Sequence, residues 1–198
     1  MAINSTLFLI SFFLISYVLG SIPFAHLVAK TRGIDLRKVG SGNFGATNVY
    51  RAMGLFAALF VFALDVFKAF IPIYFAINYF PGQPLLHILI GFTAVVGHSL
   101  SPFIGFKGGK GVACGVGVLA AIAPLVSAIV FVISATLIAV TRYVAPVSIF
   151  SALLTPVLLY VFDTDKTYII AISIVCAFII YRHRSNIRRL IQGKENKV

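Results

Sequence analysis

The sequence predicts an all-α integral membrane protein with seven transmembrane helices, some of them short, and three observations lead to that prediction. Hydrophobic residues make up 60% of the 198 positions and charged residues only 11%, against roughly 45–50% and about 25% in soluble domains. The apolar residues fall in long runs. Lys and Arg number 16 and Asp and Glu 5, a formal net charge of +11. Because only a bilayer accommodates so much apolar surface, a disordered chain, a coiled coil and a typical soluble enzyme are excluded.

The first apolar run covers Leu7–Val28, and its flanking charges indicate its orientation. No Lys or Arg precedes it, whereas Lys30 and Arg32 follow it. A secretory signal would have the opposite charge order and a cleavage site. We therefore interpret this run as a retained span with the N-terminus outside. The second and third spans are predicted at Val49–Ala76 and Leu85–Ser99.

The run Gly111–Val140 is too long for one comfortable span and short for two, and the distribution of charge decides its interpretation. If it turns near Pro124 into two short helices, nearly all basic residues fall inside, as the positive-inside rule requires. A single helix would instead place Arg142 and the basic tail outside. With the last spans at Ala145–Phe162 and Thr167–Tyr181, the count is seven and the C-terminus is cytoplasmic.

The polar residues of this single polytopic domain, residues 1–198, gather on its predicted cytoplasmic face. The first glycine loop (residues 40–48) combines glycines, which permit positive φ, with small Ser, Thr and Asn donors. The second span is expected to begin in this loop, and its free N-terminal amides and Arg51 together favour an anion. The alternative is a tight turn with an N-cap and one topogenic arginine.

The second glycine loop (residues 105–111) reads Gly-Phe-Lys-Gly-Gly-Lys-Gly. Successive glycine amides can form a nest around an anion, and Lys110 opens the fourth span. The loop differs from a Walker A motif because the spacing is one residue short and Gly111 stands where Ser or Thr would bind magnesium. Nucleotide hydrolysis is therefore not expected. The alternative is a flexible loop carrying two topogenic lysines.

The segment after the seventh span is basic and contains one further pair of polar residues. His183 and Asn186 are three residues apart and so share a helical face. An imidazole can donate, accept or carry charge near neutral pH. The alternative is a basic amphipathic tail on anionic headgroups, and this is the interpretation we favour for the arginines.

Two polar features lie within the predicted spans. Asp65 and Lys68 are expected to neutralise each other. Asp65 lies 17 residues beyond Asn48, about 25 Å along one straight helix, which is too far to join the cytoplasmic loops. His98 is closer to the second glycine loop, and we expect it to orient that loop through a hydrogen bond.

These residues favour a phosphorylated substrate over other ligands. Only Asp35 and Glu195 supply carboxylates on the predicted cytoplasmic face, so neither a carboxylate dyad nor a carboxylate metal cage is expected. Nothing requires a metal or an organic cofactor, and the basic residues need no nucleic-acid partner. Two other classes remain open: a membrane transporter of a phosphorylated or anionic metabolite, and a non-catalytic lipid-binding or assembly protein.

Three motifs in order resemble a known family across nearly the whole chain. They are Ser-Gly-Asn-x-Gly-Ala-Thr-Asn from Ser41 with Arg51, then Phe-Lys-Gly-Gly-Lys-Gly-Val-Ala from Phe106, then His-Arg-x-Asn-Ile-x-Arg-Leu from His183. The sequence is similar to the bacterial acyl-phosphate:glycerol-3-phosphate acyltransferases, the PlsY family. Two departures are small: Cys114 stands where the family usually has Thr, and Lys194 interrupts the usual Gly-Thr-Glu tail.

The resemblance implies an enzyme of the bacterial plasma membrane with its active site facing the cytoplasm. It would transfer an acyl group from acyl phosphate to the 1-hydroxyl of sn-glycerol 3-phosphate, giving lysophosphatidic acid and phosphate. This is the first acylation step of phospholipid biosynthesis. The donor is neither acyl-CoA nor acyl carrier protein, and a contact with the soluble enzyme that forms acyl phosphate stays open.

Each motif residue can then be given an expected role. Basic residues and glycine amides would screen two phosphates and stabilise an oxyanion, while His183 and Asn186 orient glycerol phosphate. Either His183 or the phosphate of the acyl phosphate would take the hydroxyl proton. The expected catalytic residues are Ser41, Arg51, Lys110, His183 and Asn186, and the expected substrate-binding residues are Gly42, Asn43, Thr47, Asn48, Lys107, Gly108, Gly109 and Gly111.

Overall fold

A computed structural model describes residues 2–198 of the chain, with side chains from Thr6 onward, so Met1 of the predicted domain lies outside it. These residues form ten α-helices joined by loops and two 3-10 turns. The helices are α1 (Ala2–Ser21), α2 (Phe24–Lys30), α3 (Ala46–Met53), α4 (Leu55–Tyr79), α5 (Pro84–Ser99), α6 (Val112–Ile122), α7 (Pro124–Thr141), α8 (Val144–Val161), α9 (Lys166–Arg182) and α10 (Arg184–Ile191).

The lengths and apolar character of these helices confirm the all-α membrane class. Among the described residues, five helical stretches are long and apolar enough to cross a bilayer: Thr6–Lys30, Leu55–Tyr79, Pro84–Ile104, Pro124–Thr141 and Val144–Val161. The pair α9 and α10, bent by 55°, makes a sixth if it counts as one broken span. The apolar helix α6 has 11 residues. The count of seven spans and the orientation of the termini stay predictions.

The division of the run Gly111–Val140 into two helices is confirmed. Helix α6 ends at Ile122, and α7 begins with Pro124, whose missing N–H is no loss in the first turn of a helix. The Ser127 hydroxyl donates to the Val116 carbonyl at 3.5 Å, so α7 folds back along α6.

The second predicted span is interrupted, which changes the geometry near the first glycine loop. Gly54 adopts φ +82° and separates α3 from α4. The prediction that the long span itself begins at this loop is therefore wrong, because an eight-residue helix stands between them. The estimate of about 25 Å between Asn48 and Asp65 assumed one straight helix, and that assumption is wrong.

Helix α4 is central to the bundle and packs against α1, α5 and α6. Glycines permit these close approaches: a Cβ on Gly117 of α6 would collide with the Val66 carbonyl of α4, and a Cβ on Gly20 of α1 would collide with the Ala94 backbone of α5. Large apolar side chains such as Phe56 and Phe60 remain exposed, as suits a lipid-facing surface. The two glycine loops and the bend between α9 and α10 meet at one end of the bundle.

Candidate functional site

Hydrogen bonds join residues of the three motifs directly. The Lys110 ammonium donates to Asn186 Oδ1 at 2.5 Å, which joins the second glycine loop to α10. Asn43 Nδ2 donates to the Gly108 carbonyl at 3.5 Å, which joins the first glycine loop to the second. Segments 65 or more residues apart in sequence thus form one site.

A cavity of about 310 Å³ opens where these segments meet. This volume is at the lower end of the range for small-molecule sites, roughly 300–1,000 Å³. Cations dominate its lining, which suits a small ligand with negative charge. The lining residues are Asn43, Lys110, Arg182, Arg184, Ser185 and Arg188.

The environment of Lys110 weakens its hold on its proton. Gly111 adopts φ +88° as the N-cap of α6 and so turns the chain at this position. Burial lowers the pKa of Lys110 to about 8, and the nearby Arg189, Arg51 and Arg182 lower it as well, while Glu195 raises it. The lysine is therefore a cation at neutral pH but loses its charge in mildly alkaline solution.

The glycines of the second glycine loop allow close packing. The Gly108 amide donates to the Ser99 carbonyl at 3.1 Å and the Gly109 amide donates to the His98 carbonyl at 3.2 Å. Neither amide is free, so the prediction that these two amides bind an anion is wrong. A Cβ on Gly108 would collide with the His98 carbonyl, and a Cβ on Gly109 would collide with the His98 imidazole. The glycines thus bring the loop against the end of α5.

Asp65 reaches the same loop through His98. Asp65 and Lys68 pair at 2.7 Å, which confirms their predicted neutralisation. Asp65 Oδ1 also lies 3.6 Å from His98 Nδ1. The expectation that Asp65 is too distant to join the loops is therefore wrong. The predicted hydrogen bond between His98 and the loop is confirmed: the Gly109 amide donates and the His98 backbone carbonyl accepts.

Arg182 holds the second glycine loop in place, a role that the sequence analysis missed. Its Nη2 lies 3.2 Å from the Ser99 carbonyl, 3.5 Å from the Gly108 carbonyl and 3.1 Å from the Gly109 carbonyl. Attributing this arginine to lipid headgroups is therefore wrong. Arg184 and Arg188 line the cavity. Their spacing of four residues places both on one face of a helix, and this spacing could have identified them as site residues from the sequence.

Asn48 organises the first glycine loop from a buried position, with 1% of its surface exposed. Its Oδ1 accepts from the Ser41 amide at 2.9 Å and lies 3.3 Å from the Ser41 hydroxyl, and its Nδ2 donates to the Leu36 carbonyl at 3.0 Å. Ser41 is exposed and is absent from the cavity lining. Gly42 adopts φ +67° and shapes the turn.

Arg51 has a donor available for a ligand. Its Nη2 donates to the Asn196 carbonyl at 3.3 Å. Its Nε is buried and has no hydrogen-bond partner among the described residues. An unpaired buried donor is costly, so an anionic ligand at this position would be favoured.

His183 lies at the break between α9 and α10, and Asn186 lies in the first turn of α10, so the prediction that they share one helical face is wrong. His183 is buried, and burial lowers its pKa to about 4, so the ring is neutral at pH 7. Its Nδ1 donates to the Ile179 carbonyl at 2.9 Å, which leaves the lone pair on Nε2. Asn186 Nδ2 donates to Glu195 Oε1 at 2.6 Å, and Arg189 holds the other carboxylate oxygen at 2.8 Å. Glu195 therefore orients Asn186.

Two expected binding residues lie outside these contacts. Lys107 is exposed and Thr47 is partly exposed. Neither side chain lines the cavity or makes a hydrogen bond with the part of the chain that the structure describes.

Comparison with known proteins gives one consistent family. A family profile for glycerol-3-phosphate acyltransferases matches residues 10–193. A glycerol-3-phosphate acyltransferase of Aquifex aeolicus (strain VF5) is 41% identical over 191 residues, which cover 96% of this chain and 98% of the relative. One of Endomicrobium trichonymphae is 40% identical over 190 residues, covering 96% of this chain and 95% of the relative.

Solved structures give the same result. The crystal structure of PlsY (YgiH), an integral membrane glycerol 3-phosphate acyltransferase, in its glycerol 3-phosphate form has a TM-score of 0.91 and 39% identity, covering 96% of this chain and 95% of that one. Its lysophosphatidic acid form has a TM-score of 0.89 and 38% identity, covering 96% of this chain and 94% of that one. By motif order, sequence and fold, this chain belongs to the glycerol-3-phosphate acyltransferase family.

Proposed function

We propose that this protein transfers an acyl group from acyl phosphate to the 1-hydroxyl of sn-glycerol 3-phosphate, the first acylation step of phospholipid biosynthesis. The cationic cavity at the junction of the three motifs carries this proposal. Family membership supports the acyl transfer to glycerol 3-phosphate, and related structures exist in glycerol 3-phosphate and lysophosphatidic acid forms. Family membership also favours acyl transfer over the transporter and the non-catalytic lipid-binding protein.

The density of positive charge supports acyl phosphate as the donor. Glycerol 3-phosphate brings one phosphate, and acyl phosphate brings a second. Four cationic side chains line the cavity: Lys110, Arg182, Arg184 and Arg188. They can screen two phosphates that otherwise repel each other. The sequence also lacks a His-x-x-x-x-Asp motif at any of its four histidines, the signature of thioester-using glycerolipid acyltransferases.

In the proposed reaction, the 1-hydroxyl oxygen attacks the acyl carbonyl carbon. The carbonyl π pair moves to the carbonyl oxygen and then returns as the bond between the carbonyl carbon and the phosphate oxygen breaks. Phosphate leaves with the electron pair of this broken bond, and the hydroxyl proton ends on phosphate. Lys110 and the unpaired Arg51 Nε would stabilise the developing oxyanion and the phosphates. Alignment of both substrates in the cavity supplies much of the rate.

The phosphate of the donor is our proposed proton acceptor. His183 is buried and absent from the cavity lining, while its carbonyl accepts from the Asn186 and Ile187 amides at the start of α10. These contacts support a positioning role for His183, with Asn186 orienting glycerol phosphate. Ser41 and Asn48 would shape the first glycine loop beside Asn43.

His183→Gln tests the choice of proton acceptor. The glutamine keeps a polar side chain of similar reach but is not a base at neutral pH. We expect turnover within about tenfold of wild type, because loss of a true general base costs roughly 10²- to 10⁴-fold. Steady-state kcat at pH 7 measures it. A loss beyond 100-fold in folded protein would identify His183 as the base.

The membrane arrangement is also part of the proposal. We infer seven crossings in a single domain, with α6 as the short one, the N-terminus outside and the site on the cytoplasmic face of a bacterial inner membrane. The positive charge near the site supports this orientation. A soluble enzyme that forms acyl phosphate would meet the protein on that face.

Phosphate release by purified protein in lipid tests the activity. Palmitoyl phosphate is supplied with and without glycerol 3-phosphate, and palmitoyl-CoA replaces it in a parallel reaction. We expect release only with palmitoyl phosphate and glycerol 3-phosphate together, accompanied by lysophosphatidic acid. Product from palmitoyl-CoA would refute the donor assignment. Uptake of glycerol 3-phosphate by sealed vesicles without chemical change would support the transporter instead.

A further inference from the structure

A buried ionic cluster lies directly behind the second glycine loop. Asp65 is 1% exposed and Lys68 is 4% exposed, and their charged groups are 2.7 Å apart in α4. His98, at the end of α5, brings its Nδ1 to 3.6 Å from the same Asp65 oxygen. Charged groups inside a membrane bundle are expensive, so their retention calls for a specific reason.

The cluster contacts the chain on both sides of Lys110. Before Lys110, the His98 imidazole occupies the space where a Gly109 side chain would stand, and the His98 backbone carbonyl accepts from the Gly109 amide. After Lys110, the Cys114 thiol in the first turn of α6 donates to the Asp65 backbone carbonyl at 3.2 Å. The segment that carries Lys110 thus lies between one contact to His98 and one contact to Asp65.

The cluster is also anchored to the first helices of the chain. The Lys68 ammonium donates to the Ile22 carbonyl at 2.8 Å, at the break between α1 and α2. Four parts of the bundle therefore converge on Asp65 and Lys68: this break, α4, the end of α5 and the start of α6. Simple charge neutralisation would need only the pair within α4.

We propose that Asp65, Lys68 and His98 act as a positioning cluster that sets the height and orientation of the second glycine loop, and through it the place of the Lys110 ammonium in the site. This inference rests on the proposed function, because it assigns the cluster to the acyl-transfer site. The three residues touch no substrate in this role. They act through the backbone of Gly109 and the first turn of α6.

His98→Leu is the main test, and His87→Leu is its matched control. His87 lies 11 residues earlier on α5, is 2% exposed, and has both ring nitrogens bonded, to Tyr168 Oη at 2.6 Å and the Phe80 carbonyl at 2.7 Å. Both variants remove a buried, polar imidazole. We expect His98→Leu to lower kcat per folded protein by about 100-fold, the effect of a displacement near 1 Å, with a smaller change in KM. His87→Leu should keep kcat within about threefold.

Two further variants separate positioning from bulk stability. His98→Asn keeps an N–H donor where Nδ1 faces Asp65 and should recover at least tenfold of the lost kcat. The double variant Asp65→Asn/Lys68→Met removes both charges together. If the pair only neutralised itself, this double variant would keep wild-type kcat, whereas positioning predicts a loss close to that of His98→Leu. Wild-type kcat in the double variant, or equal kcat losses for His98→Leu and His87→Leu, would overturn the proposal.

A readout without catalysis separates this inference from the proposed function. Mass spectrometry can follow the labelling of Lys110 by an amine-reactive reagent at pH 8. We expect faster labelling in His98→Leu than in wild type or His87→Leu, since a loosened loop opens more often. If wild type fails to turn over, the proposed function fails while this comparison still tests the positioning. Equal labelling rates in all three proteins would overturn it.

Discussion

The two glycine loops have similar compositions, but two glycines of the second loop serve a purpose of their own. In the first glycine loop, Gly40 and Gly42 adopt φ of +55° and +67°, so glycine supplies a backbone conformation. The second glycine loop also contains glycines with positive φ, but Gly108 and Gly109 supply space, because a Cβ on either would collide with His98. A glycine-rich sequence therefore does not by itself indicate a nest of free amides.

The loops also differ in what stabilises them. One buried side chain, Asn48, bonds to the backbone of the first glycine loop. The second glycine loop bonds through its own amides and carbonyls to the end of α5 and to Arg182. We therefore expect substitutions at the packed glycines of the second loop to affect turnover most, and substitutions that loosen the first loop to act partly through local stability.

The largest effect is expected from Gly108→Ala. Its Cβ would meet the backbone carbonyl of His98, which cannot rotate away, so the loop and Lys110 must move. We expect kcat/KM to fall by at least about 100-fold.

Gly105→Ala is the control in the same loop. Gly105 has φ +65° but nothing within 4 Å of the added methyl group, so only backbone strain of roughly 1–2 kcal/mol applies. Steady-state kinetics should leave this variant within about threefold of wild type. Equal losses of kcat/KM in both variants would show that the second loop needs its glycines for backbone conformation and not for close packing.

The pH dependence of kcat/KM sharpens the role assigned to Lys110. Its pKa is lowered to about 8, so the ammonium is charged below that pH and neutral above it. We expect kcat/KM to fall about tenfold per pH unit above the pKa. Lys110→Arg should move this alkaline limb to higher pH, because guanidinium keeps its proton. An unchanged limb in that variant would assign the titration to another group.

Asn48→Ala tests the support of the first glycine loop. The change leaves the Ser41 amide without its acceptor and removes one of the two donors to the buried Leu36 carbonyl, which keeps the Val39 amide. We expect a cost of about 1–3 kcal/mol in the free energy of unfolding. Thermal unfolding in detergent measures this loss, and kcat/KM should fall by less than about tenfold. A loss of turnover as large as that of Gly108→Ala would mean that the two loops are equally important for catalysis.

Lys107→Ala should have the smallest effect. Lys107 belongs to the same motif as Lys110, but it is exposed and absent from the cavity lining. We expect kcat/KM to stay within about twofold at physiological ionic strength, where exposed charges are screened. A tenfold loss would place this lysine on the path of a substrate.

The sequence predicted most of the helices well, because helices depend on local patterns. It also predicted that the motifs gather on one face, because the distribution of basic residues indicates which loops share a side. Long apolar runs marked the spans, and Pro124 marked the break between α6 and α7. The interruption at Gly54 was missed, since one glycine in an apolar run carries no decisive signal. The location of a break depends on tertiary packing.

The finer features of the site depend on contacts between distant segments. Arg182 reaches carbonyls more than 70 positions away, and His98 joins Asp65 of another helix to the second glycine loop. The periodicity of apolar residues along the sequence does not indicate which distant residues will pair. Likewise, the chain alone could not show that the Gly108 and Gly109 amides are already occupied.

The unequal arms of the α6–α7 hairpin have a consequence for depth in the bilayer. At 1.5 Å per residue, the 11 residues of α6 span about 16 Å and the 18 residues of α7 about 27 Å, in a hydrocarbon core of about 30 Å. The helices share the turn at Ala123, and α6 is about 11 Å shorter than α7. With both helices in the membrane arrangement that we propose, the second glycine loop at the far end of α6 would lie deeper than the far end of α7, closer to the acyl carbons of the lipid. Bilayer thickness would then influence how far an acyl chain must rise to react.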